Sequence, residues 1–223
     1  MVDKAETSVG QINASAFALA YLVGQLCQHD PRLFPAVFLG TLQQRCIYAV
    51  PRYLSTQQFK DRGSYMEALG YKRTGESQAW QDEATYFERM RGLVSLLAAF
   101  MQSPMQNHPH GLPAAWAWLA RILNQKPRSA TAAVLDAFLR TAGFMLHKTY
   151  GKQFIKILIF IKTDFAARLD QDAKYPARRA ARDQLLQYID TRAFQTEPEG
   201  RRPEAAQKGD ASSNIAISGD DYH

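Results

Sequence analysis

Apolar residues recur at three- and four-residue steps along most of the chain, the spacing that places them on one face of an α-helix. Proline and glycine divide this pattern into separate helices. The predicted helices cover about 14–28, 31–49, 64–69, 81–102, 114–124, 131–150, 152–169 and 176–189. No segment alternates apolar and polar residues between hairpin turns, so we expect no strands and interpret the rest of 51–80 as loop.

These helices follow one another through short connections, which favours antiparallel pairs stacked as a helical repeat. No repeat of fixed period is visible in the sequence, so any repetition is structural only. We predict an all-α domain over 11–192. The segment 195–223 is rich in Gly, Pro, Ser and charge and holds one aromatic residue, so we expect it to be a disordered tail.

The chain of 223 residues carries 27 basic and 21 acidic side chains, a net charge of +6. Because the tail holds 3 basic and 6 acidic residues, the helical body has the larger charge of +9. This bias permits an anionic partner such as phosphate, RNA or an acidic protein surface. Two cysteines, Cys27 and Cys46, are too few for a disulfide framework or a zinc-finger array and fit a reducing compartment.

The most apolar run, 154–161, contains Lys156 and is shorter than the roughly 20 residues that a membrane-spanning helix needs. The residues 1–10 include Asp3, Lys4 and Glu6 and no apolar block, so they do not resemble a signal peptide. We expect a soluble, intracellular protein with no membrane contact.

Catalytic motifs are missing from the sequence. His108 and His110 form the one close histidine pair, but a proline separates them and no cysteine is near, so we expect no metal site. The alternative is a loop whose imidazoles bond to backbone groups. Neither phosphate-binding glycine motifs nor a nucleophile motif occurs. We therefore expect a binding protein and not an enzyme.

Basic side chains suggest where an anion could bind. They fall in three groups: Arg45, Arg52, Lys60, Arg62, Lys72 and Arg73 in or beside the loop-rich stretch; Lys148, Lys152 and Lys156; and Arg178, Arg179 and Arg182. Each group could contact phosphate, or it could be an ordinary solvated helix surface. Trp116 and Trp118 diverge on their helix, so one should face the core and the other a groove or partner.

Ordered blocks of sequence are more specific than these patterns. They are His108–Leu112, Trp116–Ala120, Ile122–Asn124, Pro127, Ser129, Thr131–Ala132, Tyr150–Phe154, Lys156, Leu158, Ile161–Lys162 and Asp164, with Cys46, Tyr48, Val50–Pro51, Leu69–Tyr71 and Phe87–Met90 upstream. In this order, over about 14–189, they resemble the C-terminal domain of the GLE-one family of mRNA export mediators at the nuclear pore.

The resemblance implies an all-α, HEAT-like helical-repeat fold without catalytic activity. It implies binding to the C-terminal RecA-like lobe of a DEAD-box RNA-dependent ATPase at the cytoplasmic face of the pore, with inositol hexakisphosphate as a tether. The complex would stimulate the ATPase and release RNA, so that RNA is contacted indirectly. A pore nucleoporin and translation initiation and termination factors are the further partners implied.

Two departures from the family pattern affect the implied site. The family's basic pair before its Cys-Pro block is Gln44-Arg45 here, and Ile47 replaces the proline. We assign polyphosphate contact to Arg45 first, with Gln44, Lys72 and Arg73 beside it, and expect weaker binding because one cation is lost. We also expect the chain to lack the beginning of the family's domain. A helical scaffold that binds RNA or protein directly through a basic face remains the alternative function.

Overall fold

The computed structural model of the chain describes residues 2–3, 12–52, 54–75, 78–105, 108–169 and 174–201. Helices dominate these ranges, and the predicted all-α class is confirmed. The α-helices are α1 (Ile12–His29), α2 (Leu33–Arg45), α3 (Arg62–Ala68), α4 (Glu83–Phe100), α5 (Leu112–Leu123), α6 (Thr131–Tyr150), α7 (Lys152–Phe160) and α8 (Pro176–Asp190). Short 3₁₀ turns lie at Thr56–Gln58, Ala166–Arg168 and Ala193–Gln195.

The core is built around α4 and α6, which pack on each other. α1 packs against α4, and α8 packs against α6. Aromatic rings fill the space between elements: Trp118 of α5 stacks on Phe138 of α6 with centroids 4.0 Å apart, and Phe38 of α2 meets Phe100 of α4 edge-on at 4.8 Å. Burial of such large rings is the main contribution to stability that the helices share.

Aspartate side chains stabilise the starts of α2 and α4. The Asp30 carboxylate accepts hydrogen bonds from the backbone N–H of Arg32 at 3.1 Å and of Leu33 at 3.0 Å, as expected for a residue before a helix. Asp82 caps α4 in the same way through the N–H of Thr85 at 2.9 Å. α2 ends earlier than predicted, at Arg45, and turns fill the interval to Pro51.

A two-stranded hairpin lies in the region predicted to be loop. β1 (Arg73–Thr74) pairs antiparallel with β2 (Ala79–Trp80), with Arg73 opposite Trp80 and Thr74 opposite Ala79. Two residues per strand are too few for an alternating pattern to be visible in the sequence. The turn uses positive φ at Gly75 (69°) and Gln78 (50°).

The predicted helix over 152–169 changes its winding partway. α7 is followed directly by a π-helical turn, Ile161–Phe165, and then by the 3₁₀ turn Ala166–Arg168. Ile161 and Phe165 are both fully buried, so the apolar face continues through the wider turn. Among the described residues no helix combines the length and apolarity needed to cross a membrane.

Charged and polar groups also lie inside the helical core. Asp136 of α6 is 1 % exposed and accepts hydrogen bonds from Arg91 at 2.8 Å and from Arg140 at 2.9 Å. Tyr188 of α8 donates to the Leu139 carbonyl at 2.7 Å. These contacts tie α4, α6 and α8 together, and burial raises the pKa of Tyr188 well above its usual value.

The structure describes residues 195–201 of the predicted tail. The Arg201 guanidinium lies over the Phe144 ring, 5.8 Å from its centroid, and pairs with Glu197. The remainder of that tail, 202–223, lies outside the described residues, and its disorder stays a prediction.

Candidate functional site

Three donors from the helical core hold the backbone of the loop-rich segment, 46–81. The Trp118 indole donates to the Tyr48 carbonyl at 2.7 Å, and the Tyr86 hydroxyl donates to the Leu69 carbonyl at 2.7 Å. Arg89 donates to the Gly70 carbonyl. The described parts of this segment, which join a short helix and a hairpin through irregular turns, are therefore fixed in position, as loops that carry binding residues usually are. The first tryptophan of the predicted pair, Trp116, lies half-buried against Tyr150 at 4.4 Å.

Arg45 and Gln44, the first two predicted site residues, end α2. The side chain of Arg45 is 37 % exposed and forms an ion pair with Asp3, while Gln44 is exposed. A positive charge at the C-terminus of a helix is stabilised by the helix dipole. A polyphosphate that binds Arg45 must therefore compete with the Asp3 carboxylate.

Lys72 and Arg73, the other two predicted residues, lie where the hairpin begins, and both are exposed. The Lys72 carbonyl accepts from the Gln81 N–H at 3.0 Å. The Arg73 guanidinium lies 4.3 Å from the centre of the Trp80 ring and 3.9 Å from Glu67. Arg73 is thus positioned by a cation–π contact and a weak surface ion pair.

Gly70 brings these two pairs of residues near each other. It has a φ of +85°, and a Cβ at this position would lie 3.4 Å from the Arg45 carbonyl oxygen. The C-terminus of α2 therefore lies against the turn that leads into Lys72 and Arg73. A larger residue would be strained here by its conformation as well as by the close approach.

A groove adjoins this cluster that the sequence did not predict. Its volume is about 1060 Å³. Its walls come from four stretches that are distant in sequence: 54–83, which holds α3 and the hairpin and reaches the start of α4, the connection between α5 and α6, the turn after α7, and Arg178 of α8. The charged and aromatic residues of this basic groove are Arg62, Tyr65, Tyr71, Trp80, Asp82, Glu83, Lys126, Arg128, Arg168 and Arg178.

The two acidic side chains of the basic groove already have partners. Glu83 forms an ion pair with Arg178, and Asp82 is the α4 cap, so that hydrogen bonds from Thr85 hold the pKa of its carboxyl below the usual range. Within the described ranges, Arg62, Lys126 and Arg128 have no acidic partner. The groove is consequently positive where it is open.

A stacked tyrosine pair stiffens the floor of the basic groove. The Tyr71 and Tyr86 rings are 3.8 Å apart and nearly parallel, at 15°. Tyr71 Oη lies 3.4 Å from Ser129 Oγ, which joins the segment 46–81 to the α5–α6 connection. Burial raises the pKa of the Tyr71 hydroxyl, so this contact is between neutral groups at physiological pH.

The other groups raised by the sequence lie elsewhere. Lys148, Lys152 and Lys156 are exposed at the end of α6 and along α7, while Arg182 pairs with Asp183 at 3.2 Å. His108 Nε2 lies 2.9 Å from the Phe100 carbonyl, which matches the backbone-bonded histidine considered above. Burial lowers the pKa of His110. The described ranges hold no group of three or more His, Cys, Asp or Glu side chains suited to a metal ion.

The fold and the site together define a helical domain with a fixed, basic binding surface. A family model described as GLE1-like protein matches residues 1–162. The chain therefore belongs to this family, as the ordered sequence blocks predicted.

Curated relatives carry the name mRNA export factor GLE1. The rat protein is 34% identical over 176 residues, which cover 76% of this chain and 25% of the relative. The Arabidopsis thaliana protein is 30% identical over 190 residues, with 83% and 28% covered. The Saccharomyces cerevisiae protein is 29% identical, with 80% and 34% covered. The chain thus spans about a quarter to a third of the length of these relatives.

Solved structures of S. cerevisiae Gle1 have the same fold. One, of Gle1 bound to a Dbp5 C-terminal domain and IP6, matches with a TM-score of 0.73 and 24% identity over 89% of this chain and 68% of that chain. A second complex, which contains a substituted Gle1, matches with a TM-score of 0.74 and 25% identity over the same shares.

Proposed function

We propose that this chain is an inositol hexakisphosphate-dependent binding partner and activator of a DEAD-box ATPase in mRNA export. Family membership, the name of the relatives and the composition of the Dbp5–Gle1–IP6 complexes support this proposal. The proposed place of action is the cytoplasmic face of the nuclear pore. A pore nucleoporin and translation factors are further proposed partners, and RNA would be released through the ATPase.

The observation that supports the proposal is the backbone contact between the end of α2, at Arg45, and the turn at Gly70 that precedes Lys72 and Arg73. Guanidinium and ammonium groups bind phosphate by charge-assisted hydrogen bonds, and several such groups are needed for a ligand with six phosphates. Arg45 and Arg73 would exchange the carboxylates of Asp3 and Glu67 for the more highly charged ligand.

We also propose that the chain acts by binding and not by catalysis. The support is that the best-placed acidic groups are committed to structure: Asp30 holds the turn before α2, Asp82 caps α4, Asp136 is buried between arginines, and Glu83 pairs with Arg178. No one of them is available with a second carboxylate or an imidazole for proton transfer.

Stimulation of the cognate DEAD-box ATPase, measured with and without inositol hexakisphosphate, tests the proposal. The wild-type chain should raise the turnover of the ATPase, and the ligand should increase the effect. Arg45→Glu should weaken ligand binding by at least about tenfold, because one attractive contact becomes repulsive. Lys148→Glu, an exposed lysine on α6, is the matched control. Equal ligand affinity and equal stimulation in Arg45→Glu would remove Arg45 from the site.

Restoring the family's second cation gives a complementary test. Gln44 is exposed beside Arg45, so Gln44→Lys adds a charge without disturbing packing. We expect affinity for inositol hexakisphosphate to rise roughly fivefold, which corresponds to about 1 kcal/mol. Calorimetric titration measures it, with Gln43→Lys one position away as the control. A gain that is the same in both variants would indicate a general charge effect and not a local site.

A further inference from the structure

We propose that the basic groove, which adjoins the anion cluster at Arg45, binds a segment of single-stranded RNA directly through cations outside that cluster. The groove combines cations without acidic partners with aromatic side chains. The cations match the phosphates of a nucleotide chain, and the aromatic rings match its bases.

The cations come first. Arg62 at the start of α3 and Lys126 in the α5–α6 connection are exposed and line the groove. Arg128 is half-buried and is held in place by a hydrogen bond to the Arg52 carbonyl at 2.8 Å. A row of cations along an open groove follows a phosphodiester backbone and releases its counterions.

Aromatic rings lie in the same walls. Trp80 and Tyr65 are half-buried and line the groove. Arg73 lies over the Trp80 ring and holds its orientation. Nucleobases stack on such rings irrespective of sequence, because every base has a π-face. The sequence places Tyr65 and Trp80 fifteen positions apart and both far from Lys126, so this combination of charge and aromatics appears only in the fold.

Single-stranded RNA fits these groups better than other polyanions do. Inositol polyphosphates have no planar face to stack on Trp80 or Tyr65, and acidic peptides have no bases. Duplex RNA keeps its bases stacked inside the helix. The groove volume of about 1060 Å³ also exceeds what most small ligands occupy.

Fluorescence anisotropy with a fluorescein-labelled oligouridylate tests the inference, using the full chain and no ATPase. Binding should weaken with salt, with a slope of log K against log salt of about −2 for three phosphate contacts. Lys126→Glu and Arg62→Glu should each raise Kd by at least about fivefold and flatten that slope by roughly one unit. Lys152→Glu, which changes an exposed lysine on α7, should leave Kd and slope unchanged.

Tryptophan fluorescence separates stacking from charge. The oligouridylate should quench part of the emission, and Trp80→Phe should remove that quenching while circular dichroism remains the same. Saturating inositol hexakisphosphate should leave RNA binding in place.

Several outcomes would overturn the inference: no binding, equal affinity for duplex RNA or polyglutamate, or equal weakening by Lys152→Glu. Displacement of RNA by inositol hexakisphosphate would place both at one site. Loss of ATPase stimulation in Lys126→Glu without any RNA binding would assign the groove to the ATPase. Because the assay contains no ATPase, a negative result leaves the proposed export function standing.

Discussion

The α4–α6 core and the segment 46–81 use polar groups in opposite ways. In the core, polar side chains form hydrogen bonds within or between helices. Asp136 accepts from two arginines, and Thr141 Oγ1 donates to the Ala137 carbonyl at 2.9 Å. In 46–81 the carbonyls accept bonds from core side chains, while cations such as Arg62 and Lys72 are exposed. The comparison shows that exposed cations lie on a segment whose position is set by the helical scaffold.

The largest effect is expected from Asp136→Ala in the core. Removing the carboxylate takes from Arg91, whose side chain is 13% exposed, its buried partner, and leaves it with Glu88 at 3.6 Å and the Gln184 side-chain oxygen at 2.7 Å. Breaking a buried pair from one side costs about 3–5 kcal/mol of unfolding free energy. Urea denaturation measures the loss. Asp183→Ala, which removes an exposed carboxylate, should cost less than about 0.5 kcal/mol. Similar losses in both variants would show that the buried Asp136 cluster contributes no more to stability than an exposed carboxylate does.

The second largest effect is expected from alkaline pH, which should lower the stability of the core. Burial raises the pKa values of Tyr48, Tyr86 and Tyr188, so the folded state keeps these protons while the unfolded chain loses them near pH 10. Stability is therefore complete below about pH 10 and falls as pH rises, by about 1.4 kcal/mol per pH unit for each tyrosine. Urea midpoints across this range measure the slope, which Tyr188→Phe should reduce. A flat profile would contradict the predicted shifts.

Gly143→Ala tests packing density between α6 and α8. A Cβ at Gly143 would overlap the Tyr188 hydroxyl and lie 3.4 Å from Phe194 Cβ. We expect a loss of about 1–3 kcal/mol. Gly40→Ala in α2, where nothing lies within 4 Å of the added carbon, should instead stabilise by up to about 1 kcal/mol. The loss at Gly143 should shrink in a Tyr188→Phe background, and an unchanged loss would exclude the hydroxyl as its cause.

The smallest effect is expected in the hairpin. Arg73→Ala removes the cation from the Trp80 ring and the ion pair with Glu67 at 3.9 Å. The global free energy of unfolding should fall by about 0.5 kcal/mol, because both contacts are exposed. Hydrogen exchange at Thr74 should quicken while exchange in α4 and α6 stays the same. A change in the hydrogen-exchange rates of the whole core would contradict the separation of the two regions.

Most of the fold could be predicted because helices are encoded locally. Three- and four-residue spacing predicted the helix positions, and the helix predicted to begin at residue 31 begins at Leu33. The hairpin was missed because two-residue strands carry no period. The π-turn 161–165 was missed because its apolar spacing is still compatible with an α-helix.

The site was less accessible to sequence reasoning. Family resemblance indicated Arg45, Gln44, Lys72 and Arg73, and that assignment stays a prediction. The basic groove depends on Trp80 and Lys126 meeting in space, although 46 positions separate them in the sequence. Local sequence patterns do not predict that Trp80 and Lys126 line the same groove, because this depends on how α5 packs on α6.

The hydrogen bond from Trp118 to the Tyr48 carbonyl joins residues 70 positions apart, and that from Arg128 to the Arg52 carbonyl joins residues 76 positions apart. During translation, the whole segment 46–81 is synthesised before Trp118 or Arg128 leaves the ribosome. The binding surface therefore assembles late, after α5 has emerged and closed these long loops. A nascent chain halted before Trp118 would carry every residue of 46–81 and still lack the surface they form.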